Sequence, residues 1–447
     1  MTTEARVYSN GYVRYVLALV FLVAVFNVCD RTIVGLLVEE IKRDIGLDDR
    51  EIGLLMGAAY TSVHFGAAVP LGRIADRTSR RTVIALGLLV WSAMTVSAGL
   101  ALAAWQLIAS RMGVGLGEAA GAAPSQSLIA DYVEPGRRAH ALAVITVGGT
   151  VGLGVGMLLG GWANEIWGWR SAFVIAGLPG IALAILFYLT VEEPVRGQSE
   201  RRTDPGRIVP LRSVLATLIR LPAYCLIVIG ACFAGITTYG RSMWEPTFLR
   251  RVYGMEPGEV GTVYFLIYAV PMALGSFLGG WLGDRLARRD VRWHMWLSAL
   301  ATAAALPFGL AFVLMPADLR LGPWPLSFAG GALCSFLMGI WVPQSMAMSV
   351  ALSPLRMRTV AAAVWSALYA LVGLGFGPYL VGELNVRLEP DLGTEAIRYS
   401  LAAAILVLAL AVVCQLLVAR LLHGDLERAK AMDRVIETAP VPTTART

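Results

Sequence analysis

The sequence predicts an all-α membrane protein of about twelve transmembrane helices, arranged as two related six-helix bundles. Its 447 residues are 57% hydrophobic and only 15% charged, with a mean hydropathy of +0.66, whereas ordinary globular proteins carry about 25% charged residues. The apolar residues form long runs separated by charged breaks, and the two halves of the chain repeat one another. These three observations indicate a polytopic helical protein.

Twelve apolar runs of about 20 residues or more are each long enough to cross a bilayer as a helix. They span residues 12–38, 51–75, 82–103, 105–130, 140–162, 170–190, 222–248, 259–283, 293–315, 324–352, 359–383 and 397–421. The first run is too long for the apolar part of a secretory signal, and it carries Asp30 and Arg31 near its centre. We therefore expect it to be the first membrane helix.

The longest polar interval lies between the sixth and seventh runs and predicts a cytoplasmic link between the bundles. It is rich in arginine and proline, as expected for an irregular exposed segment. We predict a first bundle over residues 1–191, a linker over 192–221, a second bundle over 222–422 and a disordered tail over 423–447. The tail is charged at first and then rich in proline and threonine, a composition typical of disorder.

The placement of lysine and arginine predicts the orientation. Most of the 37 basic residues fall in loops on the side that holds both termini, and the opposite loops carry acids such as Glu39, Glu40 and Asp49. Since cytoplasmic loops are enriched in basic residues, we expect both termini in the cytoplasm of a bacterial-type inner membrane. The net charge of +6 arises from these loops, so nucleic acid is not an expected partner.

A motif that follows the second run recurs after the eighth run. Both copies read G-x-x-x-D-R-x-x-R-R and lie 208 positions apart. The first copy comprises Gly72, Asp76, Arg77, Arg80 and Arg81, and the second comprises Gly280, Asp284, Arg285, Arg288 and Arg289. A parallel repeat of six membrane helices predicts two bundles related by pseudo-symmetry.

The doubled motif resembles the loop motif of the major facilitator superfamily. The fourth and fifth runs resemble two further motifs of that superfamily: Arg111-x-x-x-Gly115-x-Gly117-Glu118, and a glycine series over residues 152–161 in which Met157 replaces the usual proline. Within the superfamily the chain is similar to the Spinster group of lipid transporters, through Asp30-Arg31-Thr32-Ile33-Val34-Gly35 together with Arg111 and Glu118.

The resemblance implies that the two motif loops clasp the bundles on the cytoplasmic side and stabilise an outward-facing state. All ten motif residues are therefore predicted gating residues. Arginine suits carboxylates and lipid phosphates, and an acid stands at the same place in both copies. Basic residues that merely set the orientation in the membrane are the simpler alternative.

Charges in the first and fourth runs are predicted to meet at one depth. At 1.5 Å per residue, Asp30 lies about 27 Å along its run and Arg111 about 9 Å along a run that enters from the other side. Glu118 follows Arg111 by two turns on one face. Since ionisable groups at membrane depth indicate function, Asp30, Arg31, Arg111 and Glu118 are predicted to couple protons to transport. A buried ion pair that fixes helix packing is the alternative.

The predicted substrate contacts are polar and aromatic residues of four other runs. Arg241 and Glu245 are one turn apart in the seventh run, with Trp244 between them. An anionic headgroup site at Arg241 and a local salt bridge are both open interpretations. The remaining predicted contacts are Tyr60, His64, Tyr268, Trp341 and Gln344, and ordinary packing or hydrogen bonding is the alternative for each.

The sequence thus predicts a monomeric, proton-coupled secondary transporter that moves an amphipathic, lipid-like substrate such as a lysophospholipid by alternating access. The alternatives are a proton-driven drug exporter, a transporter of small organic anions and a transporter-like sensor. No nucleotide-binding, metalloprotease or serine-hydrolase motif occurs, so we expect neither enzyme activity nor a cofactor or metal. The five cysteines lie in apolar runs, as expected of free thiols, and the expected partners are the substrate, protons and membrane lipids.

Overall fold

The computed structural model describes residues 8–133, 138–195, 211–354 and 357–438. The helices are α1 (Asn10–Leu36), α2 (Val38–Ile45), α3 (Asp49–Met56), α4 (Ala58–Arg77), α5 (Arg80–Gly99), α6 (Ala104–Ala119), α7 (Ala122–Tyr132), α8 (Arg138–Trp167), α9 (Trp169–Thr190), α10 (Leu211–Ile219), α11 (Pro222–Tyr253), α12 (Pro257–Tyr264), α13 (Val270–Ala287), α14 (Trp293–Leu314), α15 (Ser327–Ala351), α16 (Arg358–Leu392), α17 (Ala396–Leu406) and α18 (Leu408–Thr438). A π-helical turn spans Phe265–Ala269, and strands β1 (Arg320–Leu321) and β2 (Trp324–Pro325) form one small hairpin.

The helices confirm the predicted architecture of twelve membrane crossings in two bundles. The first bundle contains α1, α3–α4, α5, α6–α7, α8 and α9, and the second contains α11, α12–α13, α14, α15, α16 and α17–α18. Nine stretches of the described residues are long and apolar enough to span a membrane, and the last of these, Val360–Ala429, holds two predicted crossings. The broken crossing α6–α7 and helix α8 complete the set.

Several predicted crossings are interrupted where the sequence carries glycine or proline. Gly57 separates α3 from α4, and Gly121 lies between α6 and α7. The π-helical turn between α12 and α13 ends just before Pro271, which has no backbone N–H to donate and therefore disrupts the regular α-helical bonding of that turn. These interruptions let helices bend within the membrane region.

The predicted linker contains a short helix, and the predicted start of the disordered tail differs from the structure. Helix α10 lies inside the predicted linker, where Val214 and Leu218 bury its apolar face. Helix α18 continues to Thr438, so residues 423–438 of the predicted disordered tail are helical. Strong helix formers fill that segment, and the carboxylate of Asp425 accepts a hydrogen bond from the backbone N–H of Ala223 at the start of α11, at 2.7 Å. Residues 196–210 and 439–447 lie outside the described part of the chain.

Close helix contacts between the bundles are found at the end of the molecule opposite the termini. There α3 packs on α16, α8 packs on α12 and α1 packs on α11. A methyl group added to Gly53 would stand 2.6 Å from the carbonyl oxygen of Pro378, and one added to Gly35 would stand 2.7 Å from that of Met243. We call this the closed end. At the terminal end, a methyl group on Gly72 or Gly280 would meet no described atom within 4 Å.

We predict that Gly53→Ala destabilises the protein, because its methyl group would push α3 away from the backbone of α16 at Pro378. Overpacking of this kind costs about 1–3 kcal/mol, which lowers the unfolding temperature of the purified protein in a thermal-shift measurement. Gly66→Ala in α4 is the matched control, since its methyl group would meet nothing within 4 Å and alanine favours the helix by about 1 kcal/mol. Equal unfolding temperatures for the two variants would contradict the tight packing.

Candidate functional site

A buried cluster in the first bundle joins α1, α4 and α6. The Nη2 atom of Arg31 donates to Oε2 of Glu118 at 2.5 Å and to the hydroxyl of Tyr60 at 2.7 Å. The Tyr60 hydroxyl donates to the same carboxylate oxygen at 2.5 Å. Glu118 and Tyr60 are each 1% exposed, whereas the Arg31 side chain keeps 20% of its surface accessible. Arg31 therefore connects the buried carboxylate to the space between the bundles.

Asp30 and Arg111 lie in the same cluster, but their charged groups are not paired. Arg111 donates from Nη1 to the backbone carbonyl of Asp30 at 3.3 Å, and its guanidinium lies 5.9 Å from the centre of the Tyr60 ring. Both carboxylate oxygens of Asp30 are buried without a hydrogen-bond donor among the described residues, and Nε and Nη2 of Arg111 have no acceptor there. The nearby Thr95 hydroxyl donates instead to the carbonyl of Trp91. Acceptors and donors are thus held close together without bonding.

His64 extends the cluster along α4. Its ring stacks on Tyr60 with centroids 5.2 Å apart, and its Nδ1 lies 3.2 Å from the Tyr60 hydroxyl and 3.3 Å from the carbonyl oxygen of Gly115. A chain of polar contacts consequently runs from Glu118 through Tyr60 to the half-buried His64. The structure brings all four predicted proton-coupling residues, Tyr60 and His64 together, and their roles remain predictions.

The second bundle has its own buried ion pair. Nε of Arg241 donates to Oε1 of Glu245 at 2.6 Å, and the guanidinium also contacts Cys334 and Ser335. It lies 5.8 Å from the ring centre of Tyr268. Both charged residues are at most 2% exposed, so the local i, i+4 salt bridge is present and Arg241 is not open to a ligand in this conformation.

The predicted contact Trp341 and three aromatic residues that the sequence did not point to form a continuous wall on α11, α15 and α16. The rings of Trp365 and Tyr369 stack 5.5 Å apart, and Tyr369 contacts Tyr239 at 5.5 Å and Trp341 at 5.8 Å. For Trp365 and Tyr369, the sequence signal was their i, i+4 spacing.

Two predicted substrate contacts are packed inside the second bundle, away from the wall. Trp244 is fully buried and donates from Nε1 to the carbonyl of Pro378 at 2.9 Å. Gln344 donates to the carbonyl of Gly279 at 2.6 Å and pairs with His294. The structure therefore does not bring these two to the space between the bundles, because their polar atoms are used to join neighbouring helices.

Two of the predicted gating residues of the first copy, Arg80 and Arg81, are engaged within their own bundle. Arg80 donates to Asp131 at 2.5 Å and to Glu193 at 2.8 Å, and Arg81 donates to the backbone of Val191. Arg77 is exposed, and the side chain of Asp76 lies outside the described part. In the second copy Asp284, Arg285, Arg288 and Arg289 are all exposed. Among the side chains of the two copies that the structure describes, no ion pair reaches the opposite bundle in this conformation.

Ion pairs between the bundles are found instead at the closed end. Asp49, at 2% exposure, accepts two hydrogen bonds from Arg251 at 2.6 and 2.8 Å and one from Asn385 at 2.9 Å. It also pairs with Lys42 of its own bundle. In the sequence Asp49 is one loop acid among several, because the sequence does not show that Arg251 lies across from it.

A second interbundle pair supports the first. Arg250 donates to Glu40 at 2.6 Å, and Arg251 donates to Glu39 at 2.7 Å. Burial raises the pKa of Glu40, but the hydrogen bond and charge of Arg250 outweigh that effect, so the pKa is lowered overall. The pair consequently remains ionised at neutral pH, and acidification through the pKa of Glu40 would weaken the closed end.

We predict that Asp49→Asn loosens the closed end, because Arg251 and Lys42 would then share one neutral partner. Breaking a buried ion pair costs about 3–5 kcal/mol, an upper limit here since both basic side chains remain partly exposed. The measurement is double electron–electron resonance between spin labels at Arg43→Cys and Glu389→Cys. Cys225 and Cys232 are replaced by alanine so that only these two positions carry labels. The distance distribution between the labels should become longer and broader in Asp49→Asn.

Asp44→Asn is the matched control for this measurement. Asp44 lies at the same end but pairs with Arg170 of its own bundle, at 2.7 Å. Its loss should leave the distance distribution unchanged. If both variants broadened the distribution equally, Asp49 would have no special part in closure.

Comparison with known proteins agrees with this geometry. The sequence profile of the Major Facilitator Superfamily matches residues 20–318 and 245–444, so the chain belongs to that superfamily of membrane transporters. The chain is 33% identical to an MFS-type efflux pump of Mycolicibacterium smegmatis over 85% of its length and 86% of that protein. It is 26% identical to Protein spinster homolog 1 of Homo sapiens over 94% of its length and 83% of that protein.

A solved structure shows the same arrangement of helices. The crystal structure of a bacterial homolog to the human lysosomal transporter Spinster, in an inward-facing and unoccupied conformation, superposes with a TM-score of 0.84 at 26% identity. The match covers 94% of this chain and 99% of that one. The Spinster resemblance predicted from the sequence is thereby confirmed, and the chain is an integral membrane transporter.

Proposed function

We propose that the protein is a proton-coupled secondary transporter that moves an amphipathic, lipid-like substrate by alternating access. The observation that carries the proton coupling is the Asp30 carboxylate, which is fully buried and lacks a donor among the described residues while two N–H positions of Arg111 beside it lack acceptors. Burying a charge without a partner is expensive. Such a carboxylate can be compensated either by a proton or by the arginine.

A proton and Arg111 cannot both neutralise Asp30 at the same time. This competition is what couples proton release to the movement of the helices. An arginine keeps its proton at working pH, so it acts only as a mobile partner. When helix movement brings Arg111 onto Asp30, the charged carboxylate is favoured and a proton leaves; when Arg111 withdraws, a proton returns. The second oxygen of Glu118 also lacks a described donor and can accept from Arg111 in the same way.

The lipid-like substrate is supported by similarity and by the side chains near the cluster. Proteins named Spinster homologs match most of the chain. The partly exposed Arg31 offers a cation for a headgroup phosphate, and the half-buried rings of Tyr239 and Tyr369, backed by the buried Trp365, offer aromatic surface for the rest of the molecule. With both termini in the cytoplasm of a bacterial-type inner membrane, the closed end would face outward, and a monomer would suffice for transport.

We predict that Asp30→Asn and Glu118→Gln abolish transport driven by a pH gradient, because neither amide can take up or release a proton. The measurement is uptake of a fluorescent lysophospholipid by proteoliposomes with an imposed pH gradient, which should fall to the level of empty liposomes. Counterflow without a gradient should persist, because it requires no net proton movement.

Asp44→Asn serves again as the control, since this exposed carboxylate lies outside the cluster. It should retain gradient-driven uptake. Unchanged uptake in both cluster variants would disprove proton coupling through these residues. Absence of counterflow in the wild-type protein would instead favour a sensor that carries no substrate.

A proton-driven exporter of hydrophobic compounds is the second candidate, favoured by the 33% identity to an efflux pump. A thermal-shift panel separates the two. Lysophospholipids should raise the unfolding temperature of the wild-type protein, and Arg31→Gln should remove that rise because the headgroup loses its cation. Stabilisation by cationic or neutral drugs that is insensitive to Arg31→Gln would support the exporter.

A further inference from the structure

We infer that the end of α13 is a binding site for the headgroup of an anionic phospholipid. It is separate from the buried cluster of Asp30, Arg31, Arg111 and Glu118, which we call the transport cluster. The site consists of Arg285, Arg288 and Arg289, which we call the α13 basic site. Together with neighbouring side chains these arginines line a cleft of about 640 Å³ formed by Trp281, Asp284, Arg285, Leu286, Arg288 and Arg289. That size lies within the range of roughly 300–1,000 Å³ that is usual for ligand pockets.

The first observation is the apolar stripe that leads to this cleft. Leu274, Phe277, Leu278 and Trp281 follow one another at helical spacing and are 58%, 80%, 39% and 54% exposed. Arg285 is one turn beyond Trp281, and its guanidinium lies 5.5 Å from the centre of that ring. An apolar surface capped by tryptophan and then by arginine matches the order of acyl chain, interface and headgroup in a bilayer.

The second observation is the contrast with the other copy of the motif. In the first copy, Arg80 is buried and neutralised by Asp131 and Glu193. Its counterpart Arg288 is exposed, and neither it nor Arg289 forms an ion pair with any described residue. Asp290, the next acid along the chain, pairs with Arg292. The arginine at this motif position therefore has carboxylate partners in the first bundle, as Arg80, and has none among the described residues in the second, as Arg288.

The chemistry of the cleft favours one class of ligand. Three guanidinium groups outnumber the single carboxylate of Asp284 in the lining, and arginine binds phosphate oxygens in a bidentate manner. Basic pockets at the ends of membrane helices bind anionic headgroups. A zwitterionic lipid would bring a cation beside the arginines, so phosphatidylglycerol should bind in preference to phosphatidylcholine. Because Trp281 lines the cleft, its fluorescence can report the binding of a lipid there.

The test uses the full-length protein in bilayers that contain brominated phosphatidylglycerol or brominated phosphatidylcholine. Bromine quenches tryptophan fluorescence on contact. The contribution of Trp281 is obtained by subtracting the fluorescence of the variant Trp281→Phe from that of the wild-type protein. We expect the anionic lipid to quench Trp281 about tenfold more effectively at low salt. The preference should decline at high salt, which screens the arginines.

Replacing all three arginines of the α13 basic site by glutamine should abolish the preference. The control replaces three other exposed arginines, Arg14, Arg212 and Arg220, and should retain it despite the same loss of charge. If the triple variant failed to fold, the single variants Arg288→Gln and Arg289→Gln should each reduce the preference in part.

Three results would overturn the assignment. Equal quenching by the two lipids in the wild-type protein would exclude headgroup selection. Equal loss of preference in the control variant would reduce the effect to net charge. Displacement of the brominated lipid by inorganic phosphate would identify a site for a soluble anion. None of these results bears on the transport cluster, since substrate uptake is measured separately.

Discussion

The contact on which the first bundle depends is the three-way interaction of Arg31, Glu118 and Tyr60. A carboxylate buried at membrane depth is tolerable only with charge compensation and hydrogen bonds, and here α1 supplies the cation while α4 supplies the hydroxyl. The position of these helices relative to α6 is therefore tied to one side chain. Asp30 and Arg111, held beside this contact but unpaired, are free to respond when the helices shift.

The ion pairs between the bundles and the buried charge cluster lie in two different regions of the molecule. At the closed end, the ion pairs of Asp49 and Glu40 cross from one bundle to the other. In the transport cluster, the ion pair stays within one bundle and leaves neighbouring donors and acceptors unmatched. The closed end is held by ion pairs, whereas buried donors and acceptors of Asp30 and Arg111 lack hydrogen-bond partners among the described residues. These groups could gain partners in a conformation in which the closed end has opened.

The fold could be predicted from the sequence because hydropathy and the doubled motif both report on helices that cross a bilayer. The composition of the cluster could be predicted too, since charges at that depth are rare. Its pairing could not, because whether Arg31 or Arg111 reaches Glu118 depends on the rotation of each helix about its axis. Trp244 and Gln344 illustrate the same limit: their residue types suited a cavity wall, but their helix faces point into the second bundle.

Contacts between distant segments were the other feature hidden from the sequence. Hydropathy falls at the end of the last apolar run, near residue 421, so it predicts the end of the membrane crossing there. The helix itself continues through polar residues to Thr438. Asp49 appeared as an ordinary loop acid because its partners, Arg251 and Asn385, lie in the other bundle. Such partners become visible only when the arrangement of the two bundles is known.

The hydrogen bond from Ala223 to Asp425 has a mechanical consequence. It fastens the last helix of the second bundle to the beginning of its first helix, and the same two helices also pack against each other. We therefore expect α11 and α18 to keep their relative position when the two bundles move.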